Sequence, residues 1–304
     1  MKPDMVNPAK DKPLDLSKIL LPLLLTSSAM VSAATLPEHA PLSILIIADA
    51  VNPHRLADTD LTQPGDLVPA LTAADSGLNI DSISMVDSQC IDNALGQLAA
   101  EFTPDVVLYF AHRGAAYCNG GNAQPALTQL LEHGLQSGLG LVVLHHGLYV
   151  DFTNRGIKQD LLNLIGAQSD SIEWNTESGQ RIINVAGDHF IPGNGMTYSE
   201  EHSFAGMPGT PAGTYPAFTN TPDELYEVTT LNVQDDEDRI LLFVTDSGTP
   251  RVLGYVLRRE GWEGLVVAYQ PGEYQPNALD DRSGPNFQIL VNAIYHAGAT
   301  GRAP

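Results

Sequence analysis

Gly138-Leu-Gly-Leu-Val-Val-Leu-His-His-Gly147 holds an apolar run, Leu139 to Leu144, broken only by Gly140. Such a run, with no polar alternation, predicts a strand buried on both faces, as in a parallel sheet. It stops at His145, His146 and Gly147. In open α/β sheets ligands bind beyond the carboxyl ends of the strands. A side chain held on a sharp strand-to-helix turn has the geometry of a nucleophile elbow. Here that position carries His145, with Gly147 two residues on to let the chain turn tightly.

Outward from this stretch the chain alternates. Ser43 to Asp49, Ile80 to Val86 and Val106 to Ala111 read as further strands. Leu67 to Ala74, Ile91 to Phe102 and Pro125 to Gln136 read as the helices between them, with Pro69 tolerable only in a first turn. Lys158 to Ile165 is a short helix, Arg181 to Val185 a strand leading to Asp188-His189, and Asn286 to His296 a closing amphipathic helix. Leu225 to Val233, Ile240 to Thr245, Arg251 to Leu257 and Gly264 to Tyr269 alternate like strands of a mixed extension. Residues 191–224, rich in Gly, Pro, Thr and Tyr, predict one long loop, either a site wall or a surface excursion. Asp235 to Asp238 reads as an exposed turn, because no EF-hand spacing surrounds it. The fold class expected is α/β: a doubly wound, mostly parallel sheet flanked by helices, in one domain over residues 41–299.

The chain has 304 residues, with 36 acidic and 15 basic side chains and a formal net charge of −21. That balance repels phosphate backbones and anionic membranes, so nucleic acid is not an expected partner. Residues 1–34 place Lys10, Lys12 and Lys18 before an apolar run and then Val31-Ser-Ala-Ala34. This is the order of a secretory signal cleaved after Ala33 or Ala34. The other reading of the segment is a disordered tail. With the signal, the mature protein is expected to be secreted or periplasmic, without a membrane anchor. Cys90 and Cys118 are then open to pairing, or remain two free thiols.

Several further segments fall in a set order. After the elbow come Leu164-Ile-Gly-Ala167, Asp188-His189, Asp223-Glu-Leu-Tyr226 and Gln270-Pro-Gly-Glu273. In that order the chain resembles the trehalose-utilisation (ThuA-like) family over residues 43–298. The resemblance implies a class I glutamine amidotransferase-like, or flavodoxin-like, fold. Amidotransferases of that fold carry cysteine in a Gly-x-Cys-x-Gly elbow. Val143, His145 and Gly147 stand there instead, so glutamine hydrolysis through a thioester is excluded. The ThuA-like pattern has histidine at the elbow, matched by His145. His189 matches an Asp-His-Pro segment with Phe190 in place of proline, and Glu224 and Tyr226 match Asp-Glu-x-Tyr. Two departures stand out. The family's Pro-Gly-His-Glu is here Pro271-Gly272-Glu273, and its Arg-His pair is here Arg55-Leu56.

The resemblance implies a small-molecule substrate, a carbohydrate, handled by a hydrolase-like activity or an accessory step in sugar use. His145 and Glu224 are the candidate base and acid. Asn52, Arg55, His112, His146, Tyr226 and Glu273 are candidates for holding the substrate. His145, His189 and Glu224 are candidate ligands for a divalent metal such as zinc, which takes three protein ligands and an open position. The competing reading is a non-catalytic binding module that kept the pocket after losing the amidotransferase cysteine. Catalysis through His145 predicts a rate limb near pH about 6.5, where free imidazole titrates.

Overall fold

A computed structural model describes residues 36–49, 64–73, 76–100, 104–148, 155–167, 169–175, 179–220, 223–228, 237–247, 250–272 and 284–300. In chain order the elements are β1 (Leu42–Ala48), α1 (Pro64–Thr72), β2 (Ile80–Asp87), α2 (Asp92–Ala99), β3 (Val106–Tyr109), α3 (Gln124–Gln136), β4 (Gly140–Leu144) and α4 (Arg155–Leu164). Then follow β5 (Ser169–Asn175), β6 (Arg181–Asn184), α5 (Phe190–Gly193), β7 (Glu200–Phe204), β8 (Gly213–Thr219), β9 (Asp223–Val228), β10 (Glu237–Thr245), β11 (Arg251–Arg259), β12 (Leu265–Tyr269) and α6 (Pro285–Thr300). The segment proposed as a secretory signal lies outside the described residues. Among the described residues no helix is long and apolar enough to cross a membrane.

Ten strands form one sheet in the order β2-β1-β3-β4-β12-β11-β10-β6-β8-β7. The five from β2 to β12 are mutually parallel. From β12 outward every pairing is antiparallel. The expectation of a mostly parallel sheet is therefore corrected, since only half of the strands follow it. The reason lies in connection length. β10, β11 and β12 are joined by five residues each, and a parallel crossover needs a dozen or more.

The parallel half is covered on both faces. Phe287, Leu290 and Ile294 of α6 and Leu67 and Leu71 of α1 pack with Ile44, Leu108, Val142 and Leu144. On the other face Leu98 of α2, Leu131 of α3 and Leu161 of α4 pack with Leu45, Val107, Leu141 and Val143. Side chains alternate faces along a strand, so burial on both faces is why β1, β3 and β4 read as apolar runs with no polar alternation. Each such side chain contributes about 1.5–3 kcal/mol through burial. Gly140 starts β4 because α6 leaves no room there: a Cβ would stand 2.6 Å from the backbone of Ala297.

Four further expectations change. Residues 191–224 are not one loop, because they hold α5, β7 and β8, the strands that finish the sheet. Both strands are largely exposed or half-buried and β8 carries Gly213 and Pro216, which hid them. β9 leaves the main sheet and pairs with β5 in a separate two-stranded ribbon. Glu237 and Asp238, expected in a turn, begin β10 opposite Arg259 and Arg258. Pro69 also falls past the first turn of α1.

Candidate functional site

The strand order makes β1 the switch point, with β2 on one side and β3 on the other. The crevice for a ligand belongs beyond the carboxyl ends of these strands. Asp49, the first residue after β1, is buried there. One carboxylate oxygen accepts the backbone N–H of His112 at 2.8 Å and of Arg113 at 3.2 Å, and the other accepts the Ser88 hydroxyl. Gln89 donates to the Gly114 carbonyl at 2.9 Å. Cys90 and Cys118 form a disulfide, closing the pairing left open above. One carboxylate, one amide and one disulfide thus fasten together the turns that follow β1, β2 and β3.

At the end of β4 the chain enters a single 3-10 turn over His145–Leu148. His145 has φ of 33°, the only positive φ of a non-glycine among the described residues. For an L-residue that conformation costs about 1–2 kcal/mol. Gly147 is needed because the turn folds back on β3, where a Cβ would stand 2.6 Å from Val143 and 2.9 Å from the Tyr109 carbonyl oxygen. The His145 ring is buried, and its Nδ1 lies 2.8 Å from the carbonyl oxygen of Gln270, just after β12. A carbonyl only accepts, so Nδ1 donates, and in the neutral ring Nε2 holds the lone pair. The His146 ring lies 4.5 Å from that of His145 and meets His112 edge-on at 5.0 Å, centroid to centroid. The structure therefore brings His145, His146 and His112 into one row.

Beneath that row lies Lys158, on α4 and fully buried. Its ammonium donates to the carbonyls of Ala111 at 3.0 Å, His112 at 3.3 Å and His146 at 2.9 Å. It also stands 5.8 Å from the centre of the Tyr109 ring. Burial pushes its pKa down to about 7, and the Asp49 carboxylate opposes that shift. Burial, with Asp49 adding to it, raises the Tyr109 phenol well above its ordinary range. Lys158 ties the β3 and β4 turns from below as Asp49 ties the β1 and β3 turns.

Sequence reasoning missed Lys158, Asp49, Ser88 and Gln270. A signal for the lysine existed: Lys158, Leu161, Leu162 and Ile165 follow the i, i+3, i+4, i+7 pattern of a buried helical stripe. The other expected residues are placed differently. Asn52, Arg55 and Glu273 lie outside the described residues. Glu224 and Tyr226 sit on β9, paired with Trp174 and Ile172 of β5, and their side chains are likewise outside what is described.

His189 is brought to the opposite end of the sheet. β6 runs antiparallel to β10 and thereby to β4, so it delivers the chain to the amino end of the parallel strands. There the His189 Nδ1 caps α5 by accepting the Ile191 N–H at 3.2 Å, and its ring lies 5.0 Å from that of His296. Burial lowers the pKa of His189. Burial, with His189 and Arg258 adding to it, lowers that of His296 to about 4. His145 and His189 cannot share one ion, so the trio with Glu224 does not fit a metal, and no step is drawn through one. Among the described residues only Cys90, Asp92 and Cys118 come together at ligand spacing, and the disulfide occupies both sulfurs.

No family model matches the chain, and no curated protein is similar to it in sequence. Solved structures are similar in fold. A protein described as ThuA-like from Bacteroides uniformis superposes with a TM-score of 0.51 at 14% identity, over 85% of this chain and 92% of that one. Another from Parabacteroides merdae gives 0.51 at 11% identity, over 87% and 94%. The chain has the fold of those ThuA-like proteins.

Proposed function

We propose that this chain, with the fold of the ThuA-like proteins, acts on a carbohydrate by hydrolysis, with His145 as general base. The observation that carries the reading is the elbow itself. An imidazole is held in an unfavourable backbone conformation, with Nδ1 committed to the Gln270 carbonyl and the lone pair on Nε2. Strain of this kind persists only where surrounding structure over-determines it, and it clusters at functional sites. A carbonyl partner fixes the tautomer as a carboxylate would, but leaves the charged ring less stabilised, which suits a base that must release its proton again.

In the proposed step Nε2 takes a proton from water as the water oxygen bonds to the anomeric carbon. The glycosidic C–O bond breaks, and the leaving oxygen takes a proton from Glu224. Asn52, Arg55, His112, His146, Tyr226 and Glu273 are assigned to holding the sugar. Export to an oxidising compartment is part of the reading, supported by the Cys90–Cys118 disulfide.

The test is turnover of a panel of aryl glycosides and disaccharides between pH 4.5 and 9 by the wild type, His145→Gln and Glu224→Gln. General-base catalysis by His145 requires a fall of about 10²–10⁴ in kcat for His145→Gln. Disaccharide binding without turnover in the wild type would instead favour the binding module.

A further inference from the structure

The polar end of the sheet does not stop at His145. Tyr269 closes β12 beside Leu144 and precedes the Gln270 carbonyl that holds the elbow ring. Its hydroxyl donates to Oδ1 of Asn286, in the first turn of α6, at 2.5 Å. Asn286 Nδ2 donates to Oδ1 of Asn220, just past β8, at 3.0 Å. All three side chains are buried.

The neighbouring strand, β6, joins the row. The Asn220 N–H donates to the Gln180 carbonyl at 2.7 Å, which extends the pairing of Arg181 with Thr219. Residues directly opposed in an antiparallel ladder project from the same face. Two residues along, Ile182 and Phe218 lie in the core that α6 covers, so Gln180 and Asn220 face α6 as well. Gln180 is fully buried, and among the described residues neither its amide nitrogen nor its amide oxygen has a hydrogen-bond partner. Both ends of a carboxamide left bare in a protein interior are destabilising and call for an explanation.

We propose that Gln180, Asn220, Asn286 and Tyr269 form a second subsite, at the same end of the sheet as His145, for the hydroxyl groups of a neutral polyhydroxylated ligand. Each of the four side chains both donates and accepts, as a sugar hydroxyl does. The cluster carries no formal charge, and Arg251, buried at the start of β11 at this same end of the sheet, is already engaged. The α6 amino terminus adds partial positive charge that favours a lone pair over a cation. The inference rests on the carbohydrate reading above and lengthens its site from one sugar unit to two.

The experiment uses the full chain with Gln180→Leu, and Gln180→Met should the leucine variant misfold. Trehalose and maltose are titrated by calorimetry, and thermal unfolding is followed without sugar. The proposal requires two opposite changes: Tm rises by about 2–4 °C as the orphaned amide is removed, and disaccharide affinity falls about ten- to a hundredfold. A higher Tm with unchanged affinity would overturn it, leaving Gln180 a buried group hydrated by water alone. A lower Tm would overturn it too, because the carboxamide would then serve the fold. A wild type that binds neither disaccharide sinks the carbohydrate reading and the subsite together. Unchanged turnover in His145→Gln, with affinity lost in Gln180→Leu, sinks only the elbow chemistry.

Discussion

Lys158→Met probes the part of the site that sequence reading did not find. The native ammonium gives up its proton near pH 7, whereas an exposed lysine in the unfolded chain holds it to about 10.5. Below pH 7 both states carry the proton, and folding bears the full penalty of burying the charge. Between those values unfolding takes up a proton, so stability rises with pH across that window. A displacement of this size corresponds to about 5 kcal/mol in all, of which about 3 kcal/mol develops between pH 7 and 9.5. Methionine fills a similar volume without titrating, but leaves the Ala111, His112 and His146 carbonyls without their donor. Urea unfolding of both proteins at half-unit steps from pH 6 to 9.5 isolates the lysine, because every other group titrates alike in the two. The wild type is expected to gain about 3 kcal/mol on the variant across that range. A difference that stays flat would refute the reasoning, since the three carbonyls would then hold the proton on Lys158 as firmly as water does.

At the far end of the sheet, the half-buried His296 and His189 are held neutral to lower pH than a free imidazole. The stability this allows is present above pH about 6.5 and lost as pH falls toward 4, by up to about 3 kcal/mol. His296→Leu should flatten that acid limb in urea titrations. Gly147→Ala forces a methyl group against Val143 and the Tyr109 carbonyl. It should destabilise by about 1–3 kcal/mol, and a neutral result would mean the elbow can relax. The Cys90–Cys118 bond spans 28 residues of sequence. Its reduction should lower stability by about 3–4 kcal/mol, read as a drop in urea midpoint with dithiothreitol.

The parallel half of the fold was legible because strands buried on both faces have no polar alternation to blur them. β1, β3 and β4 are apolar runs in the sequence, interrupted only by Ser43 and Gly140, and fully or nearly fully buried in the structure. β7 and β8 were hidden because they close the sheet at its far edge, with exposed Glu201 and Gly213 among their residues. The site divides along a similar line. His145, His146 and His112 follow apolar runs whose direction a parallel sheet dictates, so their meeting could be foreseen. His189 follows an equally clear strand, but nothing in Arg181-Ile-Ile-Asn184 says which way that strand runs. In a parallel strand His189 would lie at the same end of the sheet as His145, still four strands away, whereas in an antiparallel one it lies at the other end. Strand direction and strand order, neither of them written in those residues, are what keep His189 from joining His145 in one site.

The elbow carries histidine where a nucleophile would stand, and it has what makes an elbow work. The left-handed residue, the crowded Gly147 and the hold of β12 on the turn would serve any side chain at position 145. What differs is the reach of the reactive atom. A cysteine sulfur sits one bond from Cβ and attacks directly, whereas the imidazole Nε2 stands farther out, and its ring is turned by the bond to Gln270. That combination suits passing a proton to or from water better than forming a lasting covalent bond to substrate. The bracing underneath supports this division of labour. Asp49 and Lys158 spend their hydrogen bonds on the backbone of the histidine-bearing turns, and so fix where the imidazoles stand without joining the chemistry themselves.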